Sequence, residues 1–325
     1  MQAFYPLPHN MTTAQFRPQQ GWSLNSRAVP LPEDEEVLFR TLAWGLHGDR
    51  SQEGGFRTSI VSEVVAVGDA ITVWGSGDVV VLDGNPSLLN LSPYFRLPES
   101  LEPLSHYRLT PPLSLEDACL LVPVTKAVRV LEALDIQQGE RVVVLGLGLV
   151  EQITILLARH LYGAVVFAAD PNPTLRRRGE YNGASRLIRL PEESISETVL
   201  QETRGEGADA LVLGSLPSAF GTDAFAGLGQ SGRAVFTGLM PGMVSFDASG
   251  FRELNHTLLP HKDPETRHFQ RARKLLLSED VERTNLGGVA MGLEELETLP
   301  SEPASWEHRI HLQINPPTSR QAQTQ

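Results

Sequence analysis

The chain has 325 residues, 41% of them hydrophobic, and its 39 acidic side chains outnumber 27 lysines and arginines to give a formal net charge of -12. That length supports two modest domains, each with its own core. The acidic balance leaves no global positive field to gather a phosphate backbone, so nucleic acid is not an expected partner. Cys119 is the only cysteine, which excludes an internal disulfide and a thiolate-built zinc site within one chain. The segment Met1 to Pro18 has no apolar signal-peptide core, and no later run reaches the ~20 apolar residues of a membrane span. A cytoplasmic protein without a membrane role is expected.

From Gly21 to Leu97 short strand-like pieces, including Glu36 to Ala43, Thr58 to Val67 and Asp78 to Leu82, alternate with Gly, Pro, Asn and Asp. This pattern predicts a small β-barrel or sandwich. Ser114 followed by Glu116 and Asp117 marks a helix start, and Leu120, Leu121, Val124, Ala127, Val128 and Leu131 continue it at helical spacing. Arg141 to Leu145 is a β-branched run of the kind buried on both faces, and it leads through a glycine turn into a helix reaching about Leu161. Val165 to Ala169, Asp209 to Leu213 and Arg233 to Gly238 read as further strands separated by helical intervals, which predicts a doubly wound parallel sheet. The tail Pro316 to Gln325 is polar and low in apolar residues.

The turn Gly146, Leu147, Gly148, Leu149, Val150, Glu151 places two glycines where a strand bends into a helix whose amides can hold a pyrophosphate. Asp170, about twenty residues on, ends the next strand, where a carboxylate can bond the ribose hydroxyls of an NAD-type cofactor. Gly146, Gly148 and Asp170 are therefore the candidate cofactor residues. Glu151 opposes them: it stands where the motif G-x-G-x-x-G has its third glycine, and its carboxylate would repel a bound pyrophosphate. The expected cofactor state is none, or NAD(P) held weakly. Arg176, Arg177 and Arg178 read either as an exposed helix face or as partners for a 2′-phosphate.

The order of these parts resembles the medium-chain dehydrogenase/reductase family of alcohol dehydrogenases and quinone reductases. The resemblance rests on Val65–Asp69 with Trp74–Val81, on Pro111–Ala118 with Leu120 and Leu121, on Gln138–Val142, and on Gly232–Gly238. It implies a GroES-like β-rich domain over 1–112, joined by the returning 285–325, and a Rossmann-like domain over 113–284. It also implies an active site in the cleft between domains, and frequent dimers. The family's zinc-binding turns would fall on Ala43–Asp49, near Thr58–Ile60 and near Val122–Pro123. None of these positions offers a ligand set for a tetrahedral site, so no catalytic zinc is expected. Only about nine residues, Arg50 to Thr58, separate the first two turns, where the family has a longer loop.

His47 and Asp49 remain near the implied cleft, either as a proton relay or, the blander reading, as a turn stabilised by Asp and capped by His. His308 and His311 alternate with apolar residues in a late strand and read as solvent-facing positions. The stretch Phe251 to Asp263, where the resemblance places a dimer-forming edge strand, is polar and contains Pro260, which discourages pairing and leaves an edge for a partner's extended segment. The favoured reading is a diverged, mainly binding or accessory protein of a biosynthetic pathway, holding a peptide, partner enzyme or small molecule in the cleft. The alternatives are a zinc-independent NAD(P)-dependent oxidoreductase acting on a carbonyl or activated double bond, and a dinucleotide sensor without turnover.

Overall fold

The computed structural model describes residues 2–17, 19–48, 56–84, 91–101, 106–109, 113–238, 240–260, 262–278, 286, 288–299 and 309–313. By internal contacts the chain divides into two compact units. One is built from segments up to Val122 and from Gly288 onward, the other from Pro123–Gly287.

The first unit is β-rich. Its strands are β1 (Gln2–Ala3), β2 (Asn10–Arg17), β3 (Gly21–Ala28), β4 (Glu36–Gly48), β5 (Phe56–Val67), β6 (Val79–Gly84), β7 (Tyr94–Pro98) and β8 (His106–Leu109). The returning segment adds β15 (Gly288–Met291) and β16 (Arg309–Gln313), separated in sequence by a 3-10 turn at Leu293–Thr298. The main sheet runs β15-β16-β4-β5-β6-β8, with β1 on β5 and β7 on β4. Phe39, Trp44, Leu46, Ile60 and Leu82 are fully buried in its core, and Phe39 stacks on Phe95 at 5.5 Å. Burying such aromatic and branched side chains on one face is the main stabilisation of a sheet of this size.

Two expectations are corrected here. Ala43–Gly48, read as a turn, continues β4, with Trp44 opposite Ile60 and Leu46 opposite Thr58 on β5. Trp44 and Leu46 are core residues, and their burial carries the strand past the point where a turn was expected. Second, the polar N-terminal stretch contains β2, which pairs with β3 as a separate hairpin from Asn10↔Ala28 to Arg17↔Gly21. Phe16 and Trp22 meet edge to face at 5.2 Å, and Ala14 and Trp22 reach the core.

The second unit is a doubly wound parallel sheet, order β11-β10-β9-β12-β13-β14. The chain enters through α1 (Leu115–Ala133), where the Ser114 hydroxyl accepts from the Asp117 amide. There follow β9 (Arg141–Leu145), α2 (Leu149–Tyr162), β10 (Val165–Asp170), α3 (Pro173–Tyr181), β11 (Arg186–Arg189), α4 (Ile195–Glu202), β12 (Ala208–Leu213), α5 (Ser218–Ala226), β13 (Leu228–Phe236), α6 (Ala248–Glu253), β14 (Thr257–Leu259) and α7 (Thr266–Leu277). The apolar run Val142–Leu145 is fully buried because β9 lies between β10 and β12 in the middle of the sheet. Strand order reverses between β9 and β12, the switch point where such sheets open a crevice at the carboxyl ends of their strands. The presumed edge strand is only Thr257–Leu259; Phe251–Glu253 are helical, as the Asp247 N-cap dictates.

Helix α7 is capped through a buried histidine. The Glu265 amide donates to His268 Nδ1 at 2.7 Å, which leaves the proton on Nε2, 3.3 Å from Glu132 Oε2. His268 is 0% exposed. Burial holds its imidazole below the ordinary histidine range, while Glu132 pulls the other way. A histidine kept neutral in the fold takes up a proton more readily when unfolded. Stability is therefore whole above the ordinary histidine value and falls as pH drops below it. Urea unfolding at about pH 7.5 and 5.5 should show this loss, and His268→Gln should reduce it. An unchanged acid loss in that variant would remove His268 as its source.

Candidate functional site: the glycine turn

The glycine turn has the backbone its motif predicts. Gly146 has φ +69, a left-handed conformation that only glycine adopts freely, and a methyl group there would meet the Ser215 amide nitrogen at 2.9 Å. Gly148 is the N-cap of α2, in an extended conformation with no side-chain cap. The first helical amides thus point toward the crevice between β9 and β12, the usual place for an anion.

That place is taken by the chain's own carboxylate. Glu151, in the first turn of α2, is only 7% exposed. Its side chain folds back over the turn, so that a methyl group on Gly148 would lie 2.8 Å from Glu151 Oε2 and one on Gly214 3.1 Å from Glu151 Cδ. Thr237, following β13, donates its hydroxyl to Glu151 Oε1 at 2.6 Å. A short charge-assisted bond of this kind, beside a helix N-terminus, is favourable for the carboxylate.

Asp170 is equally committed. It is 0% exposed; Oδ2 accepts from the Leu147 amide at 2.9 Å and Oδ1 from the Asn172 amide at 2.7 Å. The carboxylate ties the end of β10 to the glycine turn, and both oxygens face protein. Gly146, Gly148, Glu151 and Asp170 lie around one turn, with the Glu151 carboxylate bonded to the Thr237 hydroxyl and the Asp170 carboxylate to the Leu147 and Asn172 amides. His47 lies on β4 opposite Arg57, half-buried; Asp49 lies outside the described residues, as does His308. Among the described residues no cluster of His, Cys, Asp or Glu could hold a metal ion.

Sequence reading missed Thr237, whose signal was a hydroxyl just past a buried strand and before Gly238. It also left unresolved the groove of about 360 Å³ beside β11, lined by Arg176, Arg177, Arg186 and Arg189 with Glu180 and Glu193. Arg176 donates to the Asp170 and Pro171 carbonyls at 2.5 and 2.9 Å. Glu193 is gripped by the Arg189 amide and the Arg186 guanidinium, both at 2.7 Å, which together hold its carboxyl down to about 2. Its contribution is present above the ordinary carboxylate range and disappears as pH falls from about 4.5 toward 2. Glu193→Gln should lower stability by about 1–2 kcal/mol at neutral pH and by much less near pH 2, read from urea midpoints.

No protein-family model matches the sequence, and no curated protein matches it. Solved structures do. An alcohol dehydrogenase from Thermus sp. ATN1 superposes with a TM-score of 0.74 at 21% identity, covering 94% of this chain and 100% of that one. A protein described as a short chain alcohol dehydrogenase from Escherichia coli CFT073, complexed with NADH, gives 0.74 at 15% over 94% and 100%. A quinone oxidoreductase from Pseudomonas syringae pv. tomato DC3000 gives 0.69 at 17% over 94% and 100%. The chain has the medium-chain dehydrogenase/reductase fold. At these identities the likeness is one of architecture, a GroES-like sheet and a Rossmann-like sheet, and function has to be argued from the site.

Proposed function

We propose that this is a medium-chain dehydrogenase/reductase-like protein whose main role is binding, with its dinucleotide site closed in the resting state. The observation that carries this reading is the buried Glu151 carboxylate, bonded to Thr237 and lying over Gly148 where a pyrophosphate would rest. Asp170, sealed by the Leu147 and Asn172 amides, supports it. A binding role then falls on surfaces outside the turn. The short strand Thr257–Leu259, the last of its sheet among the described residues and with Leu258 exposed, is where an extended segment of a partner would add.

A second reading is favoured by the arginine groove. If the protein is a zinc-independent oxidoreductase, its cofactor is of the NADP type, because Arg176, Arg177, Arg186 and Arg189 line one groove beside β10 and β11 while the Asp170 oxygens are buried. Calorimetric titration with NAD(H) and NADP(H) separates the readings. Absence of binding by the unmodified chain, with binding gained by Glu151→Gly, supports the closed site. Micromolar NADPH binding by the unmodified chain would overturn it in favour of the reductase.

A further inference from the structure

His268 belongs to a cluster of side chains that joins α7 to α1 and α2 within the second unit. On α7 it stands with Arg267 and Arg271; α1 contributes Glu132 and Arg129, and α2 contributes Tyr162, whose hydroxyl accepts from Arg271 at 3.2 Å. The ring is wholly buried, yet Nε2 makes no hydrogen bond, although Glu132 Oε2 is 3.3 Å away.

Three features make this ring a poor place for a second proton. First, Nδ1 already accepts from the Glu265 amide at 2.7 Å, so protonating it sets two donors face to face. The Glu265 carbonyl, 3.3 Å from Nδ1, already accepts from the His268 amide at 2.9 Å. Second, three guanidiniums, of Arg129, Arg267 and Arg271, surround the ring, and the two carboxylates among them are shared. Glu132 Oε1 is 2.7 Å from Arg271 and its Oε2 4.0 Å from Arg267, while Glu265 pairs with Arg267 at 3.1 Å. Third, burial withholds the water that would solvate an imidazolium. The helix that carries the ring is itself lightly held. It lies outside the sheet, and its buried side chains are His268, Phe269, Ala272 and Leu276. Strand β9, by contrast, is bonded along both edges in the middle of the sheet. A segment with so small a buried face opens at a lower free energy than a central strand.

We infer that α7 is an acid-released helix: a proton on His268 breaks its bond to the Glu265 amide, drives the ring out and opens the helix from its first turn, while the parallel sheet stays folded. The apolar stripe of Phe269, Ala272 and Leu276 is uncovered with it. A buried neutral histidine that caps a helix thus acts as the proton sensor, and the helix is the element it biases. The device is separate from the glycine turn and holds whether or not that turn takes a dinucleotide.

The test is amide hydrogen exchange of the full chain at about pH 7.5 and 5.5, read by mass spectrometry and corrected for the intrinsic rate at each pH. The amides of 269–277 should exchange through an opening that is more populated than that of β9 at both pH values. That opening should rise about tenfold at the lower pH, the factor expected of one imidazole that is neutral while buried and titrates at the ordinary histidine value once released. His268→Gln should flatten the rise, because glutamine at the third helical position also accepts from the N-cap amide and carries no titrating proton. Equal protection of α7 and β9 at pH 5.5 would overturn the inference, since the helix would then leave only with the whole unit. So would the absence of a rise in α7, or an undiminished rise in His268→Gln. The comparison of α7 with β9 is made on the unmodified chain and stands even if the variant melts early.

Discussion

Glu151→Gly should increase affinity for NAD(P)H about a hundredfold over the unmodified chain. The carboxylate would stand within a few ångströms of a pyrophosphate, and two like charges about 4 Å apart at an effective dielectric near 20 repel by about 4 kcal/mol. Part of that is recovered by counterions and by movement of the side chain, so about 2.7 kcal/mol, a hundredfold, is the expected net effect. Charge and volume are separable. Glu151→Gln removes the repulsion but leaves a side chain able to bond Thr237, so its gain should fall well short of glycine's. Equal gains for Gln and Gly would show that charge alone closes the turn. No gain for either would place the obstacle elsewhere, with Asp170 the next suspect. The glycine variant should also be less stable, by about 1 kcal/mol, because it loses a carboxylate from the first turn of α2 and gains a flexible residue in the helix.

Much of the second unit was legible because its strands are buried on both faces and therefore read as unbroken apolar runs. Arg141–Leu145 was bounded to the residue, and Val165–Asp170 and Ala208–Leu213 to within one. The first unit was harder. Its strands bury one face and depend on partners far away in sequence. The β2–β3 hairpin has only Ala14, Phe16, Trp22 and Leu24 to advertise it, scattered among polar residues. Ala43–Gly48 was read as a turn because the family's first zinc-binding turn would fall there, yet in β4 Gly45 serves close approach: a methyl group on it would meet Cys119 Cβ at 2.9 Å. At the site, the glycines, Glu151 and Asp170 were all visible in sequence, but their mutual arrangement was not. A carboxylate after a glycine turn can point to solvent or fold back. In this chain it folds back, bonded to the hydroxyl of Thr237, 86 residues later. The same holds for the arginine groove, where Arg176 and Arg177 meet Arg186 and Arg189 through a strand pairing that no local pattern announces.

Gly214→Ala should destabilise the chain by about 3 kcal/mol or more, the largest effect expected of a single methyl group near the site. Gly214 follows β12 at the switch point, and its amide donates to the Leu145 carbonyl at 2.9 Å. A Cβ at this position would lie 2.5 Å from the Leu145 oxygen and 2.6 Å from the Gly146 oxygen. Both are backbone atoms of the central strand and its turn, so no flexible side chain can swing aside. Relief requires β9 and β12 to separate at their carboxyl ends, breaking the bond that joins them there. Overpacking of a rigid core typically costs about 1–3 kcal/mol, and the lost hydrogen bond adds about 1 kcal/mol. The same methyl group would press on the Glu151 carboxyl carbon at 3.1 Å, so the closed turn and the sheet depend on one missing side chain. Urea denaturation reads the stability. A loss below about 1 kcal/mol would mean that the two strand ends are less tightly joined than this geometry requires. If stability falls as expected, adding Glu151→Gly should recover part of it, since removing the carboxylate leaves room for the turn to move. Strictly additive effects of the two changes would instead mean that Gly214 and Glu151 act on the sheet separately.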